Sequence, residues 1–476
     1  MSQQSPRPLQ AARSEPDRLA VTLFGVATAV ATAILAASAA GDLECGAEGA
    51  DLAAGDLSGV ANYAAVEGLD AVMIGTTFCN LGTVVIPVSI TSADHPLATQ
   101  NLYRLSDGRF EQIGMSWVFN AFAVLGSNAC GCGCVPTGSV ALFGAGCSYP
   151  ETAGIMGSSF ALSPRSEVNA VTGTNAFPAT TGEAGTSVDF RLQFALDDAI
   201  PALNPGASYL VEVMVLDPAD AAAGNAANNW SYRSVQFSGP ATNLNAFLAG
   251  SAVPGASAID AWAAADPEVV VASVAVPDDG TFVVGAKATA LPEGGWQYEY
   301  AVANLNSDRS AGAFAVPLPI GATLSDVGFH DVAYHSGEPY DGADWSSTRE
   351  GCVLRWATLP EEENALANAL RWGTLYNFRL TSDARPAPGS VRVELFKPGE
   401  PAFVELTTVV PGGGAVGACG AVADLDGDGA VNGSDLGVLL GAWGPCPRAA
   451  TCIADLDGSG GVDGADLGLL LAAWTG

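Results

Sequence analysis

Two twelve-residue segments near the C-terminus carry the residue types and the spacing that a calcium ion requires. One begins at Asp424 and the other at Asp455, so the segments repeat with a period of 31 residues. Calcium takes six to eight hard oxygen ligands, and a twelve-residue loop supplies them from positions 1, 3, 5, 7, 9 and 12. In the first loop these are Asp424, Asp426, Asp428, the carbonyl of Ala430, Asn432 and Asp435. In the second they are Asp455, Asp457, Ser459, the carbonyl of Gly461, Asp463 and Asp466. Position 6 is Gly429 or Gly460, which suits a sharp turn. Ser459 weakens position 5 of the second loop, while Asp463 restores a carboxylate at position 9. A pair of Asp/Gly-rich turns without metal would not need two complete ligand patterns in register. Two calcium ions are expected.

These ligands have to be held by something, and an apolar stripe follows each loop. Leu436, Leu439, Leu440 and Trp443 stand at offsets 0, 3, 4 and 7, as do Leu467, Leu470, Leu471 and Trp474. That spacing predicts a short helix after each loop with one apolar face. Asp435 and Asp466 would sit at the helix starts, where a carboxylate favours the dipole. Two such helices are too small to fold singly, so they should pack face to face with calcium supplying much of the folding free energy.

Two D-x-D-x-D-G-type loops, Asp at position 12 and one helix after each loop resemble a type I dockerin. The resemblance covers residues 419–476, about an eighth of the chain. It implies a small all-α calcium-binding domain that docks onto a cohesin-like domain of a scaffold or surface protein. Positions 10 and 11 of each loop help to select the cohesin in that family. Here they are Gly433, Ser434, Gly464 and Ala465, in place of the common Ser/Thr pair. Basic residues usual on the following helix are replaced by Gly441, Ala442, Ala472 and Ala473. A Cys419–Cys446 bridge would close around the first loop.

Upstream, the chain reads as mainly β. Residues 41–258 are expected to form a loop-rich, disulfide-containing β domain. Its signals are a hairpin, Leu102–Leu105 with Arg109–Ile113, around Asp107-Gly108, and strands at Val188–Phe194 and Tyr209–Leu216. Residues 259–410 give short alternating strands, among them Trp296–Val302, Ala313–Val316, Leu375–Leu380 and Phe403–Val410. That spacing predicts an antiparallel β-sandwich of Ig-like or jelly-roll type. Glu361–Leu370 reads as a helical turn or two. Residues 411–418 read as a Gly-rich linker to the tail.

The N-terminus carries Arg7, Arg13 and Arg18, then an uncharged run from Leu19 to Ala40 that ends in small residues. Residues 1–40 are expected to be a signal peptide, the alternative being an uncleaved anchor. Export places the chain outside the cell or at its surface, with no membrane span once the signal is removed. Ten cysteines then argue for disulfides. This includes the run Cys130, Cys132 and Cys134, which lacks the paired spacing of a structural zinc site. A net charge of -32 repels phosphate backbones and excludes nucleic-acid partners.

Catalytic signals are sparse. His330, Asp331, His335, Glu338 and Asp344 form the densest cluster, and there is neither a G-x-S-x-G elbow nor an H-E-x-x-H helix. The stretches Gly328–Tyr340 and Asn368–Phe378 resemble exported bacterial proteins without an assigned activity. The favoured reading is a non-catalytic β-rich body for extracellular binding or structure, attached by the tail. The alternative is a dockerin-bearing glycoside hydrolase, acting on O-glycosyl bonds in polysaccharide catabolism. Either reading makes a polysaccharide a candidate partner.

Overall fold

The computed structural model describes residues 43–476 apart from 90–91, 94, 123–125, 183, 320, 417–422, 426–430, 447–451, 458 and 475–476. The expected signal peptide lies outside the described residues. Among the described residues no helix is long and apolar enough to cross a membrane. The chain is mainly β, as its composition predicts.

The first sheet is built from β1 (Leu52–Asn62), β2 (Leu69–Asn80), β3 (Leu97–Ser106), β4 (Arg109–Met115), β5 (Leu192–Ala195), β6 (Ser208–Leu216), β7 (Trp230–Ser238) and β8 (Asn245–Pro254). Its order is β1-β2-β5-β4-β3-β6-β7-β8. The expected hairpin is β3–β4, with Ser106 opposite Arg109. Asp107 and Gly108 both have positive φ, 52° and 77°, which matches the twist of the flanking strands. The outer strands of the sheet meet through side chains. Asn62 exchanges two hydrogen bonds with the Ala246 backbone, at 3.2 and 2.6 Å, and Arg233 donates to the Leu57 carbonyl. Leu57, Ile74, Phe78, Leu102, Phe119 and Val213 fill the interior. The strand expected over Val188–Phe194 begins only at Leu192, because Phe190 is held at φ 67° and cannot extend the ladder.

Disulfides order the loops around this sheet. Cys45 pairs with Cys132, Cys79 with Cys130 and Cys134 with Cys147. The C-x-C-x-C run is therefore cross-linked by disulfides, as expected. These bridges are compatible with an extracellular protein. Cys352 is also disulfide-bonded.

The second region is two facing sheets. One contains β9 (Val270–Ala275), β10 (Thr281–Ala290), β11 (Trp296–Asn304), β13 (Leu324–His330) and β16 (Thr374–Ser382), in the order β9-β10-β11-β16-β13. The other contains β12 (Ala311–Pro317), β14 (Ser346–Glu350), β15 (Val353–Ala357), β17 (Pro386–Leu395) and β18 (Phe403–Pro411), in the order β14-β15-β12-β17-β18. Tyr298, Tyr300, Phe378, Phe314, Trp356, Val393 and Leu406 share the core between them. Period-2 alternation is cleanest in β18, where Val404, Leu406, Thr408 and Val410 point inward.

Two expectations for this region are corrected. Glu361–Leu370 forms turns instead of a helix. Asn364 accepts the Leu366 N–H at 3.0 Å, a local bond that competes with helical ones. The predicted linker is partly built into the sheet, since Gly414 and Ala415 pair in parallel with Gly389 and Ser390 of β17. A Cβ at Gly389 would lie 2.3 Å from the Gly414 carbonyl oxygen, so glycine is needed for that approach. Residues 417–418 lie outside the described residues.

The boundary expected near 258 separates the sheets but not their cores. Strand β11 is buried on both faces: Tyr298 and Tyr300 enter the sandwich, while Ala301 and Ala303 meet Tyr103, Phe110 and Trp262. Trp262 lies so close to β10 that a Cβ at Gly285 would come within 2.9 Å of its ring. Beside this apolar contact runs a polar seam. Arg165 is almost wholly buried and spans the two regions. Its guanidinium donates to the carbonyls of Ser116 at 2.6 Å, Gln100 at 2.9 Å and Gly373 at 2.9 Å, and to Asn101 Oδ1 at 2.8 Å. Gln112 Oε1 accepts the Leu375 N–H at 2.7 Å, and Asn377 donates to the Phe110 carbonyl at 2.8 Å. Burial lowers the Arg165 pKa to about 10, and the nearby Glu338 and Glu212 act against that shift.

Candidate metal centre

The tail folds around its own repeat. Helices Gly433–Gly441 and Gly464–Ala472 follow the two loops. Ala423, Leu425, Val431 and Leu439 pack with Ala454, Leu456, Val462 and Leu470, which are the same positions one repeat later. The predicted stripes are only half buried. Leu439 and Leu470 are fully enclosed, whereas Leu440, Trp443, Leu471 and Trp474 are exposed. Each helix stops before its tryptophan, at Gly441 and Ala472, so Trp443 and Trp474 leave the helical face that the spacing assigned them.

Position 12, an expected ligand, also serves the protein framework in each loop. Asp435 and Asp466 are completely buried. Asp435 accepts the Leu425 N–H at 2.6 Å on one oxygen and the Asn432 N–H at 2.8 Å on the other. Asp466 accepts from Leu456 at 2.6 Å, Asp457 at 3.1 Å and Asp463 at 2.7 Å. Asn432 and Asp463 cap the helices in return, completing a reciprocal capping box at each start. The start of each loop is thereby tied to the helix that follows it. The sequence gives no direct sign of this second role, because Asp at position 12 is already explained as a ligand.

In the second loop, carboxylate oxygens of Asp455, Asp457 and Asp466 lie within 4.8 Å of one another. Opposite oxygens on one calcium ion stand about 5 Å apart, twice the Ca–O distance, so this spacing fits a shared ion. Gly460, at φ 91°, makes the turn, and its N–H reaches Asp455 at 2.9 Å. The Ser459 N–H bonds Asp455 at 3.0 Å and Asp457 at 2.9 Å, and holds the Asp457 carboxyl below the usual carboxylate range. Ser459 Oγ donates to the Gly461 carbonyl at 3.1 Å. Asp463 is exposed at position 9. The donor set is all hard oxygen, which suits calcium and not a soft metal. In the first loop, Asp424, Asn432 and Asp435 are described, and Asp426, Asp428 and Ala430 lie outside the described residues. Gly433, Ser434, Gly464 and Ala465 are all exposed.

One cysteine expectation is corrected here. Cys446 pairs with Cys452, six residues on, so it does not bridge to Cys419. The nearer partner wins because the chain reverses between the helix end and the second loop, where Gly444 and Pro445 pair with Val462 and Gly461. Cys419 itself lies outside the described residues.

The histidine cluster is only partly brought together. His335 bonds Met115 O through Nε2 and Ser336 Oγ through Nδ1, both at 2.8 Å, and burial lowers its pKa to about 4. Asp331 is held by the Asn368 amide, and Glu338 accepts the backbone N–H groups of Arg165 and Ser166. His330 reaches the Gln112 carbonyl at 3.3 Å. His330, Asp331 and His335 line one cleft of about 200 Å³, while Glu338 and Asp344 do not line it. His330, His335 and Glu338 bond to the first β region, whereas Asp331 and Asn368 both belong to the second.

A titratable group outside that cluster yields a prediction. Asp220 is buried on a short helix, Pro218–Ala223, and bonds the Leu52 N–H at 3.2 Å and the Asn229 amide at 2.9 Å. Asn229, the first residue of an Asn-Trp-Ser sequence, is buried as well. Desolvation raises the Asp220 pKa from 3.8 to about 7. The folded chain thus keeps a proton that the unfolded chain has released. That contribution to stability is present at acid pH and is lost as pH rises from about 4 to 7. Asp220→Asn should remove it, so the variant's melting temperature should gain on the wild type across that window. The limiting slope is about 1.4 kcal/mol per pH unit. A difference independent of pH would refute the assignment.

Comparisons with known proteins add little. No protein-family model matches the chain, and no curated protein matches it. Among solved structures, it aligns with a complex of the Amycolatopsis orientalis exo-chitosanase at 11% identity and TM-score 0.15, over 71% of this chain and 25% of that one. A structure of an exo-β-D-glucosaminidase with a glucosamine-configured inhibitor gives 11% identity and TM-score 0.15, over 74% and 26%. The chain spans about a quarter of the length of these structures. Such scores carry no argument for a shared fold or activity.

Proposed function

We propose that this is an exported calcium-binding protein whose dockerin-like tail attaches a non-catalytic, β-rich body outside the cell. In this reading residues 419–476 are a small, mainly helical domain holding two calcium ions. Residues 259–410 are an Ig-like or jelly-roll sandwich that, with the first sheet, binds or builds extracellular material such as polysaccharide. The observation that carries the proposal is the convergence of Asp455, Asp457 and Asp466 in a loop whose ligand pattern recurs one repeat earlier. Calcium would neutralise these carboxylates and fix each loop against its helix. The exposure of Gly433, Ser434, Gly464 and Ala465 leaves the selecting positions accessible to a cohesin-like partner.

Calorimetric titration of the full chain tests the calcium claim, with two ions bound per chain expected and none refuting it. Retention on an immobilised cohesin that chelator reverses would support attachment, and retention indifferent to chelator would count against it. The body should bind polysaccharides from a plant and algal panel without releasing sugar. Turnover lost on mutating one carboxylate pair would overturn the non-catalytic reading.

A further inference from the structure

We infer that the Cys446–Cys452 disulfide is a positioning element for the second calcium loop. The inference rests on the calcium reading of the tail. The two loops carry the same number of carboxylates: Ser459 stands in place of Asp428 at position 5, and Asp463 in place of Asn432 at position 9. With the charge equal, a difference in affinity depends on how little ordering remains to be done when the ion binds. Cys446 and Cys452 stand just before the second loop. The positions one repeat earlier than Cys446 and Cys452 are Ala415 and Ala421.

The disulfide is joined to the loop at both of its ends. The Cys446 N–H donates to the Gly460 carbonyl at 3.0 Å, and the Asp455 N–H donates to the Cys452 carbonyl at 3.2 Å. Just before Cys446, Pro445 is paired with Gly461, whose carbonyl is the position 7 ligand. The Cys446 sulfur itself lies 3.6 Å from Asp455 Oδ2. With the two cysteines' Cα atoms fixed 5.7 Å apart, positions 1, 6 and 7 of the loop are held to one short covalent ring. Asp455, Gly460 and Gly461 would otherwise have to be brought together by the ion. Fixing them beforehand acts as outer-shell contacts do in other metal sites.

The test is calorimetric calcium titration of the full chain with its disulfides formed, for the wild type, Cys446→Ser/Cys452→Ser and Asp455→Ala. Asp424→Ala is added to each so that the second site is also read alone. The wild type should bind two ions. The double-serine variant should also bind two, with the second site weakened about 10-fold or more and the first unchanged. Equal weakening of both sites, or of neither, overturns the inference while leaving the calcium reading intact. A wild type that binds no calcium ends the calcium reading and this inference with it. Circular dichroism at saturating calcium separates positioning from folding. Recovery of wild-type helicity by the double-serine variant supports positioning. Helix loss that saturating calcium does not restore overturns it, because the disulfide would then be a staple of the fold.

Discussion

Removal of calcium from the full-length chain is expected to detach a low-temperature unfolding transition of the tail from that of the body. At calcium 100 times its dissociation constant, each ion stabilises the folded form by about 2.7 kcal/mol. Two ions therefore add roughly 5 kcal/mol to a module of fewer than sixty residues, where 1 kcal/mol moves the melt by about 4–8 °C. The tail transition should rise by more than 20 °C on adding calcium and fall back with chelator. Asp424→Ala with Asp455→Ala should remove the response. Each carboxylate has separate work in the protein framework, so the controls matter. Asp466 accepts three backbone N–H groups, and its loss would unfold the tail with or without metal. Asp424 and Asp455 stand at position 1 and leave those clasps intact. A melt that is unchanged by calcium in the wild type would sink the metal assignment.

Arg165→Met should produce the largest loss in the body, about 3–5 kcal/mol, seen as a fall of roughly 5–10 °C in its main transition. The guanidinium supplies four hydrogen bonds at the junction of the two β regions, and methionine of similar length supplies none. The carbonyls of Ser116, Gln100 and Gly373 would lose their charged donor and keep only Thr99 Oγ1, the Ser116 N–H and the Asn101 amide. Glu338, whose pKa burial already raises, would also lose the positive charge that opposes that shift. The deficit should therefore widen as pH rises beyond the ordinary glutamate range, since a raised carboxylate pKa removes stability as the proton leaves. Arg165→Lys should rescue little, because one ammonium group cannot reach carbonyls on three segments. Calorimetry of the full chain between pH 5 and 8 reads both effects. A variant within 1 °C of the wild type would show that the seam does not depend on the guanidinium.

Much of the candidate site was legible because its signal is local. The ligands of a twelve-residue loop are fixed by position along the chain, and the repeat states them twice. The helices after the loops were legible for the same reason, but the burial of their stripes was not. Periodicity assigns Leu440 and Trp443 to the same face as Leu439, yet burial depends on what the partner helix covers and on where the helix ends. Similarly, alternation marked Trp296–Val302 as a strand, while nothing local marked it as buried on both faces. That burial comes from Tyr103, Phe110 and Trp262, residues distant in sequence. The misplaced strand start before Leu192 has a backbone cause, the positive φ of Phe190, which a bulky apolar residue does not advertise.

Local sequence alone marked out the paired Asp/Gly-rich loops, the Asp107-Gly108 hairpin, strands of the second region and the disulfide chemistry of the cysteines. These follow from ligand spacing, turn stereochemistry, period-2 alternation and composition, all read within a few residues. Only the tertiary structure decided which cysteines pair, that His335 and Glu338 serve the seam between the sheets, and that Arg165 spans it. A hydrogen bond from Arg165 to Gly373 crosses 208 residues of chain, and no local pattern encodes its partner. Such contacts exist only once the sheets have brought distant backbone carbonyls to the same buried place, where they take over the hydrogen bonds that the buried guanidinium gives up to water.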